Sequence, residues 1–348
     1  MKIYIKTFGC ALNKADSNFM SNFLNLNGFE IVKTPDLADI ILVNSCGVKE
    51  RTQHRVLSYI EEARSTGKKV YVGGCLPKML KGKIHADGLF DTNSITRIPE
   101  LFNDTEKIIF SDKKEDKLDI NQEKGLAVIP IAEGCLNHCN YCSVKAVRGD
   151  LRSYPKDAII EKIKQLLDNG ADKIYLTAQD TGCYGLDINE NIVSLLKEII
   201  KIKKDFKVRL GMANPQFIIP IADDLIEIYK NDKIMKFLHI PLQSGSDKIL
   251  KDMGRNYSVA GFIKLVGKFR KHVKGINIST DIILGYPTET EEDFKKTLEL
   301  IDKIKPEVIN VSKFAPRPGT KASRLKQIDS KIVKERSKKI NERIKLLV

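Results

Sequence analysis

The sequence predicts an α/β protein with two parallel-sheet domains. Three observations lead to this prediction. Strand-like apolar runs alternate with helical patterns along most of the chain, a highly charged segment interrupts them once, and 348 residues suffice for two ordinary domains. Hydrophobic residues make up 42% and charged residues 30%, which excludes a disordered or collagen-like chain.

The first domain is predicted to span residues 1–110. Strand–helix–strand alternation implies crossover helices and therefore a parallel sheet. The strand candidates are residues 3–8, 40–45 and 69–74, and the helix candidates are residues 14–26 and 49–64.

Residues 111–124 are predicted to form a linker. Nine of the fourteen residues are charged, and only Leu118 and Ile120 are aliphatic. The second domain, residues 125–320, then continues the alternation with six βα units. Six units in about 190 residues suggest an open or partial (β/α)6 TIM-like barrel, because eight units typically need roughly 250 residues. Its strand candidates are residues 126–132, 173–178, 208–212, 237–242, 276–284 and 308–314, and its helix candidates include residues 156–168, 192–203, 259–271 and 291–304.

The charge balance points to a polyanionic partner. Lys and Arg number 59 against 45 Asp and Glu, a formal net charge of +14. Residues 317–348 hold eleven of these cations against three acids, and residues 321–348 are predicted to form a basic C-terminal helix. Such an excess is typical of nucleic-acid binding, although a solvated Lys-rich helix would give the same composition.

Targeting signals are not evident in the sequence. No apolar run approaches the roughly 20 residues of a membrane-spanning helix. The N-terminus, MKIYIKTFGC, alternates like a strand and lacks the apolar block of a signal peptide. We therefore expect a cytoplasmic protein without a membrane partner.

The seven cysteines favour metal or catalytic chemistry over disulfides, because their number is odd and the cytoplasm keeps thiols reduced. Cys135, Cys139 and Cys142 form a C-x3-C-x2-C run directly after the first strand of the second domain. Three thiolates on one loop can hold three corners of a cubane iron–sulfur cluster and leave the fourth iron open. A structural zinc site is the alternative, with His138 as fourth ligand, but His138 adjoins Cys139 and would strain the loop.

A second set of cysteines is predicted to meet at one sheet edge. Cys10, Cys46 and Cys75 each follow a strand candidate of the first domain, so all three fall at the carboxyl edge of the parallel sheet. They could hold a second three-cysteine cluster, or each could be an ordinary small buried side chain. Cys183 has no such companions and is interpreted as a bystander.

Polar residues and glycines follow four successive strands of the second domain. Because functional groups gather at the carboxyl ends of barrel strands, these residues should converge on one pocket beside the cluster. The segments are residues 178–180, 213–215, 243–246 and 285–287.

On these motifs the chain resembles the radical S-adenosylmethionine (SAM) methylthiotransferases, specifically the branch that acts on threonylcarbamoyladenosine in tRNA. The resemblance extends from residue 3 to about residue 320. The segments that carry it are KIYIKTFGCALNKADS, LVNSCGVK, VGGCLPK, AEGCLNHCNYCSVKAVRG, LTAQDTGCYG, RLGMANP, FLHIPLQSGSDKILKDMGR, TDIILGYPTETEEDF and FAPRPGT.

The resemblance implies two 4Fe–4S clusters and SAM. Cys135, Cys139 and Cys142 would hold the cluster that chelates and cleaves SAM, and Cys10, Cys46 and Cys75 an auxiliary cluster that carries the sulfur. The reaction would replace the hydrogen at C2 of the adenine with a methylthio group. The cofactors carry this chemistry, while the protein positions and shields them.

The resemblance also implies a set of SAM-pocket residues. Tyr141 would meet the SAM adenine through its backbone, Gln179 and Asp180 would lie near the SAM amino group and substrate, and Arg209 would face the SAM carboxylate or ribose. The remaining polar positions lining the pocket would be Gln243, Ser244 and Ser246.

The implied substrate is position 37 of the tRNA anticodon loop, and the implied partners are an electron donor such as a flavodoxin or ferredoxin and a sulfur source. The resemblance to the threonylcarbamoyladenosine branch is carried by the segments around Lys145 and Arg148 and by RLGMANP. The alternatives are methylthiolation of isopentenyl-adenosine tRNA or of a ribosomal-protein aspartate, and a zinc-stabilised nucleic-acid-binding protein. The family usually carries a β-barrel RNA-binding module at its end, and nothing after Lys345 could form one.

Overall fold

The computed structural model describes residues 1–47, 50–103 and 106–346. By its contacts the chain divides into two compact units. Unit 1 comprises Met1–Pro130, Ala146–Gly149 and Glu161–Ala171, and unit 2 comprises Ile131–Lys145, Asp150–Ile160 and the described chain from Asp172 onward.

The described chain forms alternating strands and helices. The strands are β1 (Lys2–Thr7), β2 (Glu30–Ile31), β3 (Ile40–Ser45), β4 (Lys69–Gly74), β5 (Gly88–Phe90), β6 (Ile108–Ile109), β7 (Leu126–Pro130), β8 (Ala132–Glu133), β9 (Arg152–Ser153), β10 (Lys173–Thr177), β11 (Lys207–Leu210), β12 (Phe237–His239), β13 (Asn277–Leu284) and β14 (Val308–Lys313). The helices are α1 (Ala11–Leu26), α2 (Glu50–Ser65), α3 (Leu76–Leu80), α4 (Ile98–Phe102), α5 (Val144–Arg148), α6 (Lys156–Asp168), α7 (Ile192–Lys201), α8 (Pro215–Ile218), α9 (Ala222–Tyr229), α10 (Asp247–Asp252), α11 (Val259–His272), α12 (Glu291–Ile304) and α13 (Ser330–Lys345).

Unit 1 contains a six-stranded parallel sheet in the order β2-β1-β3-β4-β5-β6. The central strand β3 is buried over its whole length, which explains its uninterrupted apolar start IILV. Helix α2 buries Val56, Ile60 and Ala63, spaced as one helical face, against this sheet. The predicted helix over residues 49–64 is therefore present from Glu50, and Lys49 lies outside the described residues.

The charged segment 111–124 contains no helix or strand, yet it is partly buried in unit 1. Leu118 and Ile120 are 8% and 1% exposed, and Lys117 is 1% exposed with its ammonium 3.6 Å from the Asp16 carboxylate. Its two aliphatic residues and one of its lysines thus contribute to the packing of unit 1, which distinguishes the segment from a fully solvated linker.

Unit 2 is built on parallel strands, β10 beside β11 and β12–β13–β14 together. Backbone hydrogen bonds from Met235 to Val208 and from Ala213 to His239 connect the β11 region to the β12 region. The strand predicted over residues 126–132 is divided: β7 ends at Pro130, which has no N–H to donate, and Ala132 begins β8, which pairs antiparallel with β9.

A basic C-terminal helix was predicted over residues 321–348, of which residues 347 and 348 lie outside the described residues. The helix begins later than predicted: after a 3-10 turn at Ala322–Arg324, α13 starts at Ser330, where the Asp329 side chain caps it by accepting from the Lys331 backbone N. It is docked on unit 2, because Ile340 is fully buried beside Ile282 and Phe294. The Arg336 guanidinium is 2.7 Å from the Glu289 carboxylate, and both side chains are buried. Arg343 pairs with Asp302. Part of the positive charge in this tail therefore holds the helix in place.

Among the described residues, no helix combines the length and the apolar character that crossing a membrane requires.

Candidate active site

The three cysteines of unit 1 follow three neighbouring strands at one edge of the sheet. Cys10 follows β1, Cys46 follows β3 and Cys75 follows β4, and these strands are adjacent in the order β1-β3-β4. The Asn13 Oδ1 atom lies 3.7 Å from the Cys10 Sγ and 4.0 Å from the Cys75 Sγ. The structure therefore brings the Cys10 and Cys75 thiols to one side chain, and Cys46 follows the strand that lies between theirs.

Glycine permits the close approach of these cysteine loops. Gly9 has a φ of +117°, and a Cβ at this position would lie 2.7 Å from the Cβ and 3.2 Å from the Sγ of Cys46. Any side chain would push the Cys10 loop away from Cys46. Gly74, before Cys75, has a φ of +90° and would place a Cβ 2.4 Å from the Ser45 carbonyl oxygen.

Asn13 ties the cysteine loops to one another, and the sequence reasoning missed it. Its amide Nδ2 donates to the carbonyl oxygens of Phe8 and Ser45, at 2.9 and 3.0 Å. These carbonyls belong to the segments that lead into Cys10 and Cys46. The signal in the sequence was the position of Asn13 three residues after Cys10, in the first turn of α1.

A buried cation completes this site. Arg148, 1% exposed, donates from Nη2 to the Asp16 carboxylate at 2.6 Å and to Asn13 Oδ1 at 3.1 Å. Burial raises the pKa of the Cys75 thiol to about 11, and the charge and hydrogen bond of Arg148 oppose this rise. Burial alone would raise the pKa of Asp16, but Arg148 and Lys117 hold it below its usual value. The sequence analysis used Arg148 only to assign the branch.

The donor set of this site fits a three-cysteine iron–sulfur cluster. Its thiols are soft ligands, and the adjacent Arg148 favours the anionic thiolate that binds metal. In the described parts of the chain, no three His, Cys, Asp or Glu side chains are close enough to hold a single metal ion. The ligands of a cubane attach to different irons and need not be that close.

The C-x3-C-x2-C loop of unit 2 follows β8 and receives hydrogen bonds at its sulfurs. Asn137 donates to the Cys135 Sγ from its backbone N at 3.4 Å and from Nδ2 at 3.2 Å. Arg255 Nη1 donates to the Cys139 Sγ at 3.3 Å. Backbone N–H groups of Val144 and Lys145 donate to Cys142. N–H···S bonds of this kind stabilise thiolate ligands of iron–sulfur clusters.

The turn after α10 holds the cysteine loop in place. Asn140 donates from its backbone N to the Met253 carbonyl at 2.9 Å and from Nδ2 to the Asp252 carbonyl at 2.8 Å. Arg255 lies at the end of the same turn, 9% exposed, and also donates to the Tyr257 hydroxyl. Its sequence context, KDMGR, predicted no role for this arginine.

Asp180 organises the strand ends around Cys135. Its Oδ1 accepts from the backbone N of Gly182 and of Asn214 at 3.0 and 2.9 Å, and its Oδ2 accepts from Asn137 Nδ2 at 2.9 Å. Burial raises the pKa of this carboxyl above its usual value. Gln179 Oε1 accepts from the backbone N of Gly134 at 2.6 Å. Gln179 thus contacts the segment before the cysteine loop, and Asp180 contacts the loop itself.

Two buried polar atoms of unit 2 that lack a hydrogen-bond partner among the described residues are Gln243 Oε1 and Arg255 Nη2, the second on a side chain that contacts Cys139. Gln243 is 8% exposed and has a φ of +70°, a left-handed conformation that is uncommon outside glycine. Buried groups of this kind normally have partners, so these two atoms are suited to binding a polar ligand such as SAM. The residues present therefore suit that cofactor.

The other predicted pocket residues have contacts of their own. Tyr141 packs against Met253, Tyr286 and Ala322. The Ser246 hydroxyl donates to Asp293 at 2.7 Å, and the Ser244 hydroxyl accepts from the Ser246 backbone N at 3.3 Å. Ser244 and Ser246 thus shape the turn that begins α10.

Arg209 lies between two aromatic rings of unit 2. Its guanidinium carbon is 4.1 Å from the centre of the Phe237 ring and 5.2 Å from that of Tyr175, residues on the flanking strands. Cation–π contact holds the side chain on this face of the sheet.

Cys183 lies beside Cys135, although the spacing indicated no companion for it. It is fully buried, its thiol donates to the Asp180 carbonyl oxygen at 3.2 Å, and its interaction with the Cys135 thiol lowers the pKa of Cys135 to about 7. Spacing could not reveal this contact, because forty-eight residues separate the two cysteines in the sequence. His138, the alternative zinc ligand, is exposed.

Comparison with known proteins assigns both halves of the chain. Residues 129–301 match the Radical SAM superfamily and residues 2–92 match Uncharacterized protein family UPF0004. A curated relative from Pyrococcus abyssi, a probable threonylcarbamoyladenosine tRNA methylthiotransferase, is 44% identical over 100% of this chain and 84% of its own. The chain belongs to this family. A relative of the same description from Methanocaldococcus jannaschii is 42% identical over 97% and 81%, and the Homo sapiens threonylcarbamoyladenosine tRNA methylthiotransferase is 35% identical over 98% and 62%.

The resemblance and the α/β fold class predicted from the sequence are therefore confirmed. Among solved structures, the radical SAM methyltransferase TsrM from Kitasatospora setae has a TM-score of 0.67 at 14% identity, covering 92% of this chain and 75% of that one. This likeness supports the fold. As a radical SAM protein, this member of the threonylcarbamoyladenosine tRNA methylthiotransferase family takes SAM and a 4Fe–4S cluster.

Proposed function

We propose that this protein transfers a methylthio group to C2 of the adenine in N6-threonylcarbamoyladenosine at position 37 of tRNA. The observation that carries the proposal is the presence of two separate three-thiol sites, one in each unit, in a chain related over its full length to methylthiotransferases. Radical cleavage of SAM needs one such site, and insertion of sulfur calls for a second.

In unit 2, Cys135, Cys139 and Cys142 would hold the 4Fe–4S cluster to which SAM binds. When bound, this pair supplies the electron and the radical that activate the substrate C–H bond. Asn137 and Arg255 would stabilise the ligand sulfurs through the hydrogen bonds described above.

Gln243 Oε1 and Arg255 Nη2, the buried atoms without a hydrogen-bond partner among the described residues, would bind SAM. The Tyr141 backbone would bind beside them. Gln179 and Asp180 would fix the position of the cysteine loop through their hydrogen bonds and would lie on the substrate side of the pocket. Arg209 would bind a carboxylate or ribose from its place between two rings, and Ser244 and Ser246 would set the geometry of the turn that carries Gln243.

In unit 1, Cys10, Cys46 and Cys75 would hold a second 4Fe–4S cluster that carries the sulfur to be transferred. Asn13 would fix the ligand loops, and Arg148 would balance the negative charge of the thiolates. The proposed partners are the tRNA anticodon loop, a flavodoxin- or ferredoxin-like electron donor and a sulfur source. The proposed location is the cytoplasm.

Cysteine variants separate the two roles. Cys139→Ala should abolish SAM cleavage, whereas Cys46→Ala should retain SAM cleavage and lose methylthiolated nucleoside. Cys183→Ser replaces the thiol beside Cys135 with a hydroxyl that can make the same hydrogen bond, and it should retain both clusters. Retained methylthiolation in Cys139→Ala or Cys46→Ala would contradict the assigned roles.

Mass spectrometry of a deletion strain identifies the substrate. Loss of 2-methylthio-N6-threonylcarbamoyladenosine from tRNA is the expected result. Loss of the methylthio group from isopentenyl-adenosine, or from a ribosomal-protein aspartate, would assign the protein to one of the other two substrates. Zinc without sulfide, with RNA binding and no SAM turnover, would contradict an enzymatic role.

A further inference from the structure

Unit 1 carries an open groove beside the Cys10 loop that the proposed reaction does not use. The groove has a volume of about 640 Å³ and lies between the end of β1 and the outer face of α2. Its lining residues are Lys6, Phe8, Glu50, Arg51, His54, Arg55, Ser58, Tyr59 and Glu62.

Two aromatic rings contribute to the lining. The Phe8 and Tyr59 ring centres are 5.7 Å apart, with the ring planes tilted by 59°. The Lys6 ammonium lies 5.3 Å from the Tyr59 ring centre and 6.0 Å from that of Phe8. Tyr59 is partly exposed in the groove. A partly exposed aromatic ring with a cation nearby is a suitable surface for stacking a nucleobase and binding its phosphate.

Two exposed arginines lie along the wall of the groove. Arg51 and Arg55 are four residues apart on α2, which separates their Cα atoms by about 6 Å along the helix and places them on the same face. In the described part of the chain, neither guanidinium forms an ion pair or hydrogen bond. Both are therefore available to bind phosphates without breaking an internal contact.

Two acids lie at the ends of the same helix face. Glu50 and Glu62 are separated by about 18 Å along the axis of α2. The three cations Lys6, Arg51 and Arg55 still outnumber them, and His54 adds a donor. The groove thus combines phosphate-binding cations with stacking rings, the pairing typical of surfaces that bind single-stranded nucleic acid.

The groove adjoins the segment that leads into Cys10. Phe8 precedes Cys10 by two residues and packs in the same apolar cluster as Cys46. A nucleotide stacked on Tyr59, whose ring packs on the buried Phe8, would therefore bind near the Cys10 loop.

We propose that this groove binds the single-stranded nucleotides that flank the modified adenosine in the anticodon loop. The inference rests on the proposed function and adds to it a second RNA contact, located on unit 1. Its ligand class is single-stranded RNA, held by phosphate contacts to Arg51 and Arg55 and by base stacking on Tyr59.

The test measures affinity of the full chain, with its clusters reconstituted, for a fluorescently labelled anticodon stem-loop bearing threonylcarbamoyladenosine at position 37. The variant R51A/R55A removes two phosphate contacts to the single strand. This loss should reduce the slope of log affinity against log salt by about 1.4 and weaken binding about 25-fold at 0.1 M potassium chloride.

A matched control removes two cations elsewhere. Lys197 and Lys201 are also one helical turn apart, on α7, but each is paired with an acid, Asp224 and Glu198 respectively. K197A/K201A should leave affinity and salt slope unchanged. Iron content and the thermal unfolding midpoint of every variant report whether the fold and clusters are intact.

Tyr59 tests the stacking step. Tyr59→Phe should retain affinity, because the ring remains, and Tyr59→Ala should lose about fivefold or more. Unchanged RNA affinity and salt slope in R51A/R55A would overturn the proposal, as would binding that Tyr59→Ala leaves intact. If wild type and R51A/R55A bind and modify the RNA equally well, the role proposed for the groove is contradicted and the proposed function is not. A wild type that forms no methylthio product contradicts the proposed function itself.

Discussion

Replacing Arg148 with methionine removes the buried cation at the three-cysteine site of unit 1. Arg148 and Asp16 are 1% and 2% exposed and in contact at 2.6 Å. Breaking a buried ion pair by removing one partner typically costs about 3–5 kcal/mol, because the other charge is left uncompensated. Lys117 remains 3.6 Å from Asp16 and offsets part of this loss. We therefore expect a loss of about 3 kcal/mol, at the lower end of that range.

The assay is chemical denaturation of the full chain, followed for wild type, Arg148→Met, Asp16→Asn and the double variant. The double variant should be less destabilised than the sum of the two single variants, because no unpaired charge remains at Asp16. Arg97→Met, at an exposed ion pair with Glu100, is the control and should leave the denaturation midpoint unmoved. A loss in Arg148→Met no larger than in Arg97→Met would refute the reasoning.

Three further predictions concern Asp16, Arg255 and Gly245. The pKa of Asp16 is lowered in the folded protein, so the contribution of Asp16 to stability is present above about pH 4 and is lost as the pH falls through the folded pKa. Acid unfolding should therefore begin at a higher pH in Arg148→Met than in wild type. Coincident pH profiles of the two proteins would contradict this. Arg255→Gln should lower the reduction potential of the SAM-binding cluster in an EPR-monitored titration, because a cation and an N–H···S donor to Cys139 are lost, and an unchanged potential would count against that contact. Gly245→Ala should destabilise by about 1–3 kcal/mol in thermal unfolding, because a Cβ would lie 2.5 Å from the Thr297 Cα, whereas Gly267→Ala, in an open helical position, should be neutral or stabilising; equal effects would contradict the packing.

The sequence was most informative where a strand ends in a chemically distinctive residue. Parallel strands place their carboxyl ends at one edge, so Cys10, Cys46 and Cys75 could be predicted to meet from their positions after β1, β3 and β4. The C-x3-C-x2-C loop needed no tertiary information, because its ligands are local.

Residues that act across long sequence separations could not be found in this way. Arg148 contacts Asn13 across 135 residues, and Arg255 contacts Cys139 across 116. An arginine in a turn has many possible partners, and nothing in its neighbours specifies one. The contact of Cys183 with Cys135 escaped for the same reason.

Exposure was the other property that the sequence described poorly. The segment 111–124 has the composition of a linker, but Lys117, Leu118 and Ile120 are buried. The ion pair of Lys117 with Asp16 and the apolar contacts of the other two residues suffice to pack this polar segment against unit 1. In α13, likewise, Arg336 and Arg343 are committed to ion pairs and are not free for RNA.

Iron and acid-labile sulfide per chain, on protein purified and reconstituted without oxygen, test the central claim of two clusters most directly. Two cubanes predict about eight irons and about eight sulfides per chain, falling to about four of each when Cys10, Cys46 and Cys75 are replaced by alanine. About four irons in the unaltered chain would contradict the cluster assigned to Cys10, Cys46 and Cys75. Zinc without sulfide would contradict both.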